Sequence, residues 1–298
     1  MKIISGSSNP QLAQNIAENL NVPLLDRKIT QFSNGEKRVW IQDEVHGNDV
    51  CIVQSITNPT DQTLVETLLI ADALERMGAK DVILVLPWMG YSLQDKVFRA
   101  GEPISAKVVA DLISNSYIKR VMLMDLHNDS IQAFYSTPTN YLSAMPVFEK
   151  YVRDNFDLSQ AVIASPDFGG LKRARTFANR LELDLVNIDK TRDLKTGEVR
   201  AVDLHGNVEN KKVLLFDDVI VSGGTVVKSA ALVKEKGASE VIFLATHGIL
   251  TDDAEQRIQA SQTNRVVLTN SIENPNLPEK FEILDVSGVF SQTLKKWL

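Results

Sequence analysis

The chain has 298 residues, 44% of them hydrophobic and 23% charged, with a formal net charge of −6. That length supports a sizeable core divided into two domains, and the acidic balance disfavours general nucleic-acid binding, so any phosphate affinity must be local. Cys51, the single cysteine, rules out an internal disulfide framework, no stretch is long enough to span a membrane, and the chain opens on a strand-like run rather than a leader, so a reducing cytoplasm is the expected address.

Lys2 to Ser5 reads as a short strand, and Asn9-Pro10 opens an amphipathic helix, PQLAQNIAENL. QFSNGEKRVWIQ predicts a turn at Asn34-Gly35 with an alternating strand beyond it. On local chemistry alone Phe32, Asn34 and Glu36 belong to that turn. A buried strand over Val50 to Gln54 leads to the helix LVETLLIADALERMGA, ended by Gly78. The strand Val82 to Pro87 precedes a long polar loop, WMGYSLQDKVFRAGEPISAK. Loops of that length in compact domains are often functional. Gln94, Asp95, Lys96 and Arg99 are suited either to meeting a nucleotide or to a solvated surface. The helix SAKVVADLIS and the strand Arg120 to Leu126 follow, placing His127 at a strand tip, where open α/β sheets bind ligands. A lone histidine there is more often structural. A helical turn (IQAFYSTP) and a helix (AMPVFEKYVRDNF) come next.

A second series then repeats the order of the first. The strand Ala161 to Ser165 meets Asp167-Phe168-Gly169-Gly170, which opens a basic helix, LKRARTFANRL. Asp167 fits a ligand-facing loop and fits a helix N-cap equally well. The strand Leu183 to Ile188 ends in Lys190-Thr191-Arg192, and DLKTGEVRAVDLHGNVENKK reads as a mobile, turn-rich flap. After the strand Val241 to Thr246 come the helix AEQRIQA, the strand Arg265 to Thr269, the loop NSIENPNLPEKF and a closing helix, SGVFSQTLKKWL. Strands alternating with helices predict parallel sheets covered on both faces.

The stretch from Val213 to Thr225, VLLFDDVIVSGGT, carries the most chemistry. Its apolar run reads as a buried parallel strand. Ser222, Gly223, Gly224 and Thr225 then open a helix whose N–H groups and positive end suit an anion. Asp217 and Asp218 at the strand tip suit diol oxygens or a hydrated divalent cation. Together they describe a pocket for a phosphorylated sugar.

FDDVIVSGGT resembles the loop shared by phosphoribosyltransferases and the ribose-phosphate pyrophosphokinase (phosphoribosyl pyrophosphate synthetase) family. FSNGE, VQSITNP, GYSLQDK, GEPISAK, MDLHNDSIQAFY, SPDFGG, DKTR and TNSI resemble that synthetase family in its own order, over nearly the whole chain. The KTR…GEVR flap and RAGEPIS most resemble its archaeal-type branch. The resemblance implies an α/β fold of two tandem type I phosphoribosyltransferase-like domains, parallel sheets flanked by helices. They would span residues 1–142 (nucleotide and oligomer contacts) and 143–298 (ribose 5-phosphate loop and flap), with the last helix a candidate to pack back on the first. It implies transfer of the diphosphoryl group of MgATP to the 1-hydroxyl of ribose 5-phosphate, with Mg²⁺ as cofactor. By match to the family, Lys190 and Arg192 would be the catalytic cations. Asp217, Asp218, Ser222, Gly223, Gly224 and Thr225 would hold ribose 5-phosphate. Gln94, with Asp95, Arg99 and His127, would meet ATP, and His127 with Asp167 would flank the metal. Phe32, Asn34 and Glu36 would complete the adenine pocket of a neighbouring subunit, which requires at least a dimer.

Three positions depart from the commonest pattern. Val221 replaces an acid before the loop hydroxyl, Leu93 replaces an arginine before Gln94, and Asn34 replaces an aspartate. Losing one charge-assisted hydrogen bond at Leu93 costs about 1.5–3 kcal/mol. Val221 and Leu93 favour a rival reading, a non-catalytic regulatory homologue, against which the intact Lys190 and Arg192 argue; a third reading, a phosphoribosyltransferase acting on a base, is disfavoured by the double-length chain and SPDFGG.

Overall fold

The computed structural model describes residues 1–192 and 199–297, with side chains throughout except at 189–203. The chain divides into one unit of Met1–Ser143, Ser271–Glu273 and Asp285–Leu298, and a second of Ala144–Asn270 and Asn274–Leu284.

In the first unit, β1 (Lys2–Ser5) is followed by a separate antiparallel hairpin, β2 (Arg27–Gln31) and β3 (Lys37–Ile41). Then come β4 (Val50–Val53), β5 (Val82–Leu86), β6 (Ile118–Met124) and β7 (Thr139–Leu142). These four join β1 in one parallel sheet of order β1-β4-β5-β6-β7. VCIV and VILVL are buried at every position, as strands covered on both faces require. Helix α1 (Pro10–Leu20) starts on the proline, buries Leu12, Ala13, Ile16, Ala17 and Leu20, and ends where Asn21 turns left-handed (φ 53°). Helices α2 (Thr60–Arg76) and α3 (Ser105–Ser114) follow β4 and β5, and a 3-10 helix (Asp129–Phe134) follows β6. Cys51 is fully buried, and burial pushes its thiol up to about 12.

The winding around β1 positions everything that follows. Lys2 N and Gly6 N donate toward β4, to Asp49 O (2.9 Å) and Val53 O (3.0 Å). Ile3 bonds the other way, its N–H to Pro23 O (2.9 Å) and its carbonyl from Leu25 N (2.8 Å), in a parallel bridge with Leu24. The chain therefore leaves β1 on one side, makes the β2–β3 excursion and returns on the other.

The second unit contains the strands β8 (Ala161–Ser165), β9 (Leu185–Arg192), β10 (Val199–His205), β11 (Lys212–Ile220), β12 (Glu240–Gly248), β13 (Arg265–Thr269) and β14 (Phe281–Leu284). Its helices are α4 (Met145–Asn155), α5 (Leu171–Leu181), α6 (Gly224–Glu235) and α7 (Ala254–Gln259). The sheet order is β10-β9-β8-β11-β12-β13-β14, and only the β9–β10 pair is antiparallel. The same winding recurs: out from β8 to β9, an antiparallel excursion, and back to β11 on the far side of β8. After β14 the chain returns to the first unit, where α8 (Ser287–Leu294) buries Phe290 and Leu294. Asn19 Nδ2 and Asn15 Nδ2 of α1 donate to Ser287 Oγ (2.9 Å) and Asp285 Oδ2 (3.2 Å) at the start of that segment.

Four strands were not anticipated, the first being Arg27–Gln31, a polar arm that pairs with β3. Thr139–Leu142 and Phe281–Leu284 are edge strands of half-exposed residues without a continuous apolar run. Val199–His205 lies in the stretch read as a flap and pairs antiparallel with β9. In the core beneath the site, Phe216 of β11 stacks on Phe177 of α5 (centroids 4.2 Å, 17°) and meets Phe148 of α4 edge-on (5.6 Å, 84°). Phe216→Ala is expected to lower the unfolding free energy by about 3–5 kcal/mol. A urea midpoint at the parent value would show that this cluster does not hold the sheet.

Candidate active site

The reversal of strand order between β8 and β11 is a topological switch point, where open α/β sheets bind ligands beyond the carboxyl ends of their strands. Asp167 follows β8, and Asp217 and Asp218 lie in the last turn of the pleat of β11, 8% and 3% exposed. The two loops approach closely: a Cβ on Gly170 would stand 3.3 Å from Asp217 Oδ1 and 3.7 Å from Asp167 Oδ1. Asp167 Oδ1 accepts from Gly170 N (3.0 Å), and Ser165 Oγ donates to Asp167 O (2.6 Å), fixing the turn just ahead of α5.

Arg173, on the first turn of α5, reaches both acids, with NH1 3.0 Å from Asp218 Oδ1 and 3.7 Å from Asp217 Oδ1. Asp217 Oδ1 also accepts from Asp218 N (2.9 Å). The Asp217 carboxyl is held well above the ordinary carboxylate range. Burial is the main cause, followed by the charge and hydrogen bond of Asp218 and the charge of Asp167, while Arg173 pulls the other way. Arg173 is the residue that sequence reasoning missed. The signal was present: Lys172, Arg173 and Arg175 open α5 with no acid in its first turn, although cations are unfavourable at the positive end of a helix. A cation placed there needs an acid elsewhere.

The anion loop follows β11. Gly223 adopts φ +73°, a left-handed conformation that costs little only for glycine, and a Cβ there would press on Ile258 at 3.1 Å. Helix α6 starts at Gly224, its first internal bond running from Val227 N to Gly223 O (3.0 Å). The amides ahead of that bond point forward from the helix start, beside exposed Ser222 and half-buried Thr225. Val221 contributes its carbonyl, which accepts from Thr251 N (2.9 Å) and ties the loop to the segment after β12.

Lys190 and Arg192 lie on β9, opposite Ala201 and Val199 of β10, and their side chains fall outside the described residues. Because Ser165, the last residue of β8, pairs with Asn187, the backbone at Lys190 and Arg192 continues about 10 and 17 Å beyond the end of β8. That is the same end of the sheet as Asp167. Residues 193–198 of the expected flap are outside the described residues.

The remaining candidates belong to the first unit. Phe32 is 52% exposed at the tip of the β2–β3 hairpin. Asn34 Oδ1 accepts from Glu36 N (3.2 Å), and Glu36 O accepts from Phe32 N (2.8 Å), as in a well-formed turn. Gln94 accepts from Ser105 Oγ, and Asp95 Oδ2 accepts from Asn128 Nδ2 (2.6 Å), which brings the long loop beside exposed His127. Arg99 N donates to Glu102 Oε2 (2.9 Å). His127 stands three residues past β6, two residues further from the strand than expected.

Among the described residues no group of three or more His, Cys, Asp and Glu side chains could hold a metal ion. The residues fit a cation that takes few protein ligands, because Asp167, Asp217 and Asp218 bring together carboxylate oxygens, the hard donors Mg²⁺ prefers. No helix is long and apolar enough to cross a membrane among the described residues.

Comparison with known proteins accounts for both units. The N-terminal domain of ribose phosphate pyrophosphokinase matches residues 1–116, and the phosphoribosyl synthetase-associated domain matches residues 193–297. The chain is 38% identical over 298 residues to the ribose-phosphate pyrophosphokinase of Thermotoga maritima, covering 99% of this chain and 94% of the relative. Against that of Helicobacter pylori it is 39% identical over 295 residues, covering 99% and 92%. The crystal structure of phosphoribosylpyrophosphate synthetase from Mycobacterium smegmatis superposes with a TM-score of 0.91 at 34% identity, covering 99% and 98%. The expected fold, two phosphoribosyltransferase-like α/β domains with parallel sheets flanked by helices, is the observed one. With its motifs, its repeated winding and its near-complete overlap with these relatives all in agreement, the chain belongs to the ribose-phosphate pyrophosphokinase family.

Proposed function

We propose that the chain transfers the diphosphoryl group of MgATP to the 1-hydroxyl of ribose 5-phosphate, giving 5-phosphoribosyl 1-pyrophosphate and AMP. The observation that carries this reading is the acid pair and anion loop at the β8–β11 switch point, which suit a sugar monoester. Asp217 and Asp218 orient the ring hydroxyls, and Ser222, Gly223, Gly224 and Thr225 receive the 5-phosphate. The 1-hydroxyl oxygen forms a bond to the β-phosphorus of ATP as the bond from that phosphorus to the α,β-bridging oxygen breaks, and the hydroxyl proton is released. Lys190 and Arg192 neutralise the charge on the transferring group, the main demand of phosphoryl transfer. His127 and Asp167 would hold Mg²⁺, which screens the phosphate oxygens when bound. Phe32, Asn34, Glu36, Gln94, Asp95 and Arg99 form the nucleotide contacts, the first three serving a neighbouring subunit, so the working form is at least a dimer. The first unit, which includes Asp285–Leu298, serves nucleotide binding and the second unit sugar binding, and a reducing cytoplasm suits the buried Cys51 thiol.

Formation of AMP and 5-phosphoribosyl 1-pyrophosphate in equal amounts, dependent on ATP, Mg²⁺ and ribose 5-phosphate, is the expected result with purified protein. No AMP under those conditions would favour the regulatory homologue to which Val221 and Leu93 point.

The raised Asp217 carboxyl sets a pH dependence. Its ionised form binds the sugar, so affinity for ribose 5-phosphate is expected to fall as pH drops through a value above the ordinary carboxylate pKa of about 4. Arg173→Met removes the cation that opposes this shift and moves the fall to still higher pH. Calorimetric titrations across a pH series check this; superimposable parent and variant profiles would remove Arg173 from the site.

A further inference from the structure

The two units wind alike, yet their switch points differ chemically. Ser5 ends β1 opposite Val53, and Ser165 ends β8 one step past the Ala164–Leu215 pair. Counting from these ends, Gln54 and Ser55 take the places in the first unit that Asp217 and Asp218 take in the second. The first unit's switch point is filled from within. Gly6 lies so close to the Gln54 amide that a Cβ would fall 2.1 Å from Gln54 Oε1. That oxygen accepts from Ser8 N (3.0 Å) and Ser8 Oγ (2.7 Å), while Ser55 Oγ donates to Ser271 O (2.6 Å) and accepts from Trp88 N (3.1 Å). Behind them Glu66 of α2, fully buried, accepts from Ser7 N (2.6 Å) and Gln54 Nε2 (2.9 Å) on Oε1. Its Oε2 accepts from Ser7 Oγ (2.9 Å) and from Lys37 Nζ (2.9 Å).

Lys37 comes from outside this cluster. It pairs with Gln31 in the last rung of the β2–β3 ladder before the turn that carries Phe32, Asn34 and Glu36. The hairpin is a sheet of two strands joined to no other strand, an arrangement marginally stable unless something else holds it. At its base, Arg27 donates to Ser5 O (2.8 Å) and Gly6 O (3.2 Å). At its tip the ion pair with Glu66 is the corresponding tie. A charge-assisted bond in a dry environment fixes direction more firmly than the same bond in water.

We infer that Lys37 and Glu66 are positioning residues for nucleotide binding: the first unit has turned its switch point from a ligand crevice into a mount that aims the hairpin tip. This rests on the proposed role of Phe32 and its neighbours. Lys37 touches no substrate; it acts through the tip.

The double variant Lys37→Met with Glu66→Gln tests the tie with least damage. A glutamine oxygen at the Oε1 position still accepts from Ser7 N and Gln54 Nε2, and its amide can donate to Ser7 Oγ, so the mount survives and only the tip is released. Initial rates of AMP formation in the full-length enzyme are expected to show KM for ATP raised about tenfold, KM for ribose 5-phosphate within about twofold of the parent, and an unchanged cooperative melt. Lys37→Arg, which retains a cation for Glu66, is expected to recover most of the loss. Phe32→Ala serves as the direct-contact control and is expected to raise KM for ATP by itself. If Phe32→Ala raises it and the double variant does not, the positioning role is wrong while the nucleotide role of the tip stands. If neither raises it, the tip does not meet the nucleotide and both fall. Equal loss of both KM values and of the melt, without recovery in Lys37→Arg, would mark the pair as merely structural.

Discussion

Lys190→Ala is expected to lower turnover by about a thousandfold while leaving the affinity for ribose 5-phosphate within about twofold of the parent. In the proposed reaction the charge on the transferring group spreads over its outer oxygens in the transition state. A cation that meets those oxygens only then contributes to kcat and not to ground-state binding. The backbone supports this placement: β9 carries Lys190 past the end of β8, toward the side of the sheet where Asp167 sits. Single-turnover rates with saturating ATP would measure the effect separately from product release. Turnover within about threefold of the parent would remove Lys190 from the mechanism. Arg192, two residues on along the same strand, is expected to behave similarly.

Asp217→Asn with Asp218→Asn is expected to weaken ribose 5-phosphate binding by about 10- to 100-fold, from losing charge-assisted hydrogen bonds of about 1.5–3 kcal/mol. The same change is expected to raise, not lower, the melting temperature near neutral pH. The folded value of Asp217 lies above its unfolded value, so the native state is favoured most below the unfolded value and loses stability as pH rises from there through the folded one. Ionisation of a crowded, buried acid is a cost the fold bears for its ligand, and an amide of similar shape does not incur it. Calorimetry reads the affinity and a thermal melt reads the stability. Unaltered affinity would reject the sugar-binding role, whereas lost affinity with a lower melting temperature would mean that Arg173, left without its acids, dominates the energetics.

The interior of the fold was legible because covered parallel strands leave unbroken apolar runs. VCIV, VILVL and VLLF each mark a central strand, and the glycines and hydroxyls after the last mark the anion loop. The margins were not. TNYL and FEIL are half-exposed edges, and β10, VRAVDLH, escapes notice because an irregularity between Ala201 and Asp203 breaks its alternation inside a turn-rich stretch. At the site, Asp217, Asp218 and the loop declared themselves through neighbours in sequence. Arg173 did not, because its partners lie more than forty residues away, and a basic helix reads as surface until the acids that offset it are located. Lys37 was hidden for the same reason: only the fold brings it to Glu66.

The segment Asp285–Leu298 belongs to the first unit although it is synthesised after the whole of the second. Residues 1–143 therefore emerge from the ribosome with the groups on α1 that bond Asp285 and Ser287 still lacking those partners, and with no Phe290 or Leu294 to complete their core. A gene fragment ending at residue 143 is the wrong way to isolate the first unit; a chain that joins residues 285–297 ahead of Met1 restores these partners.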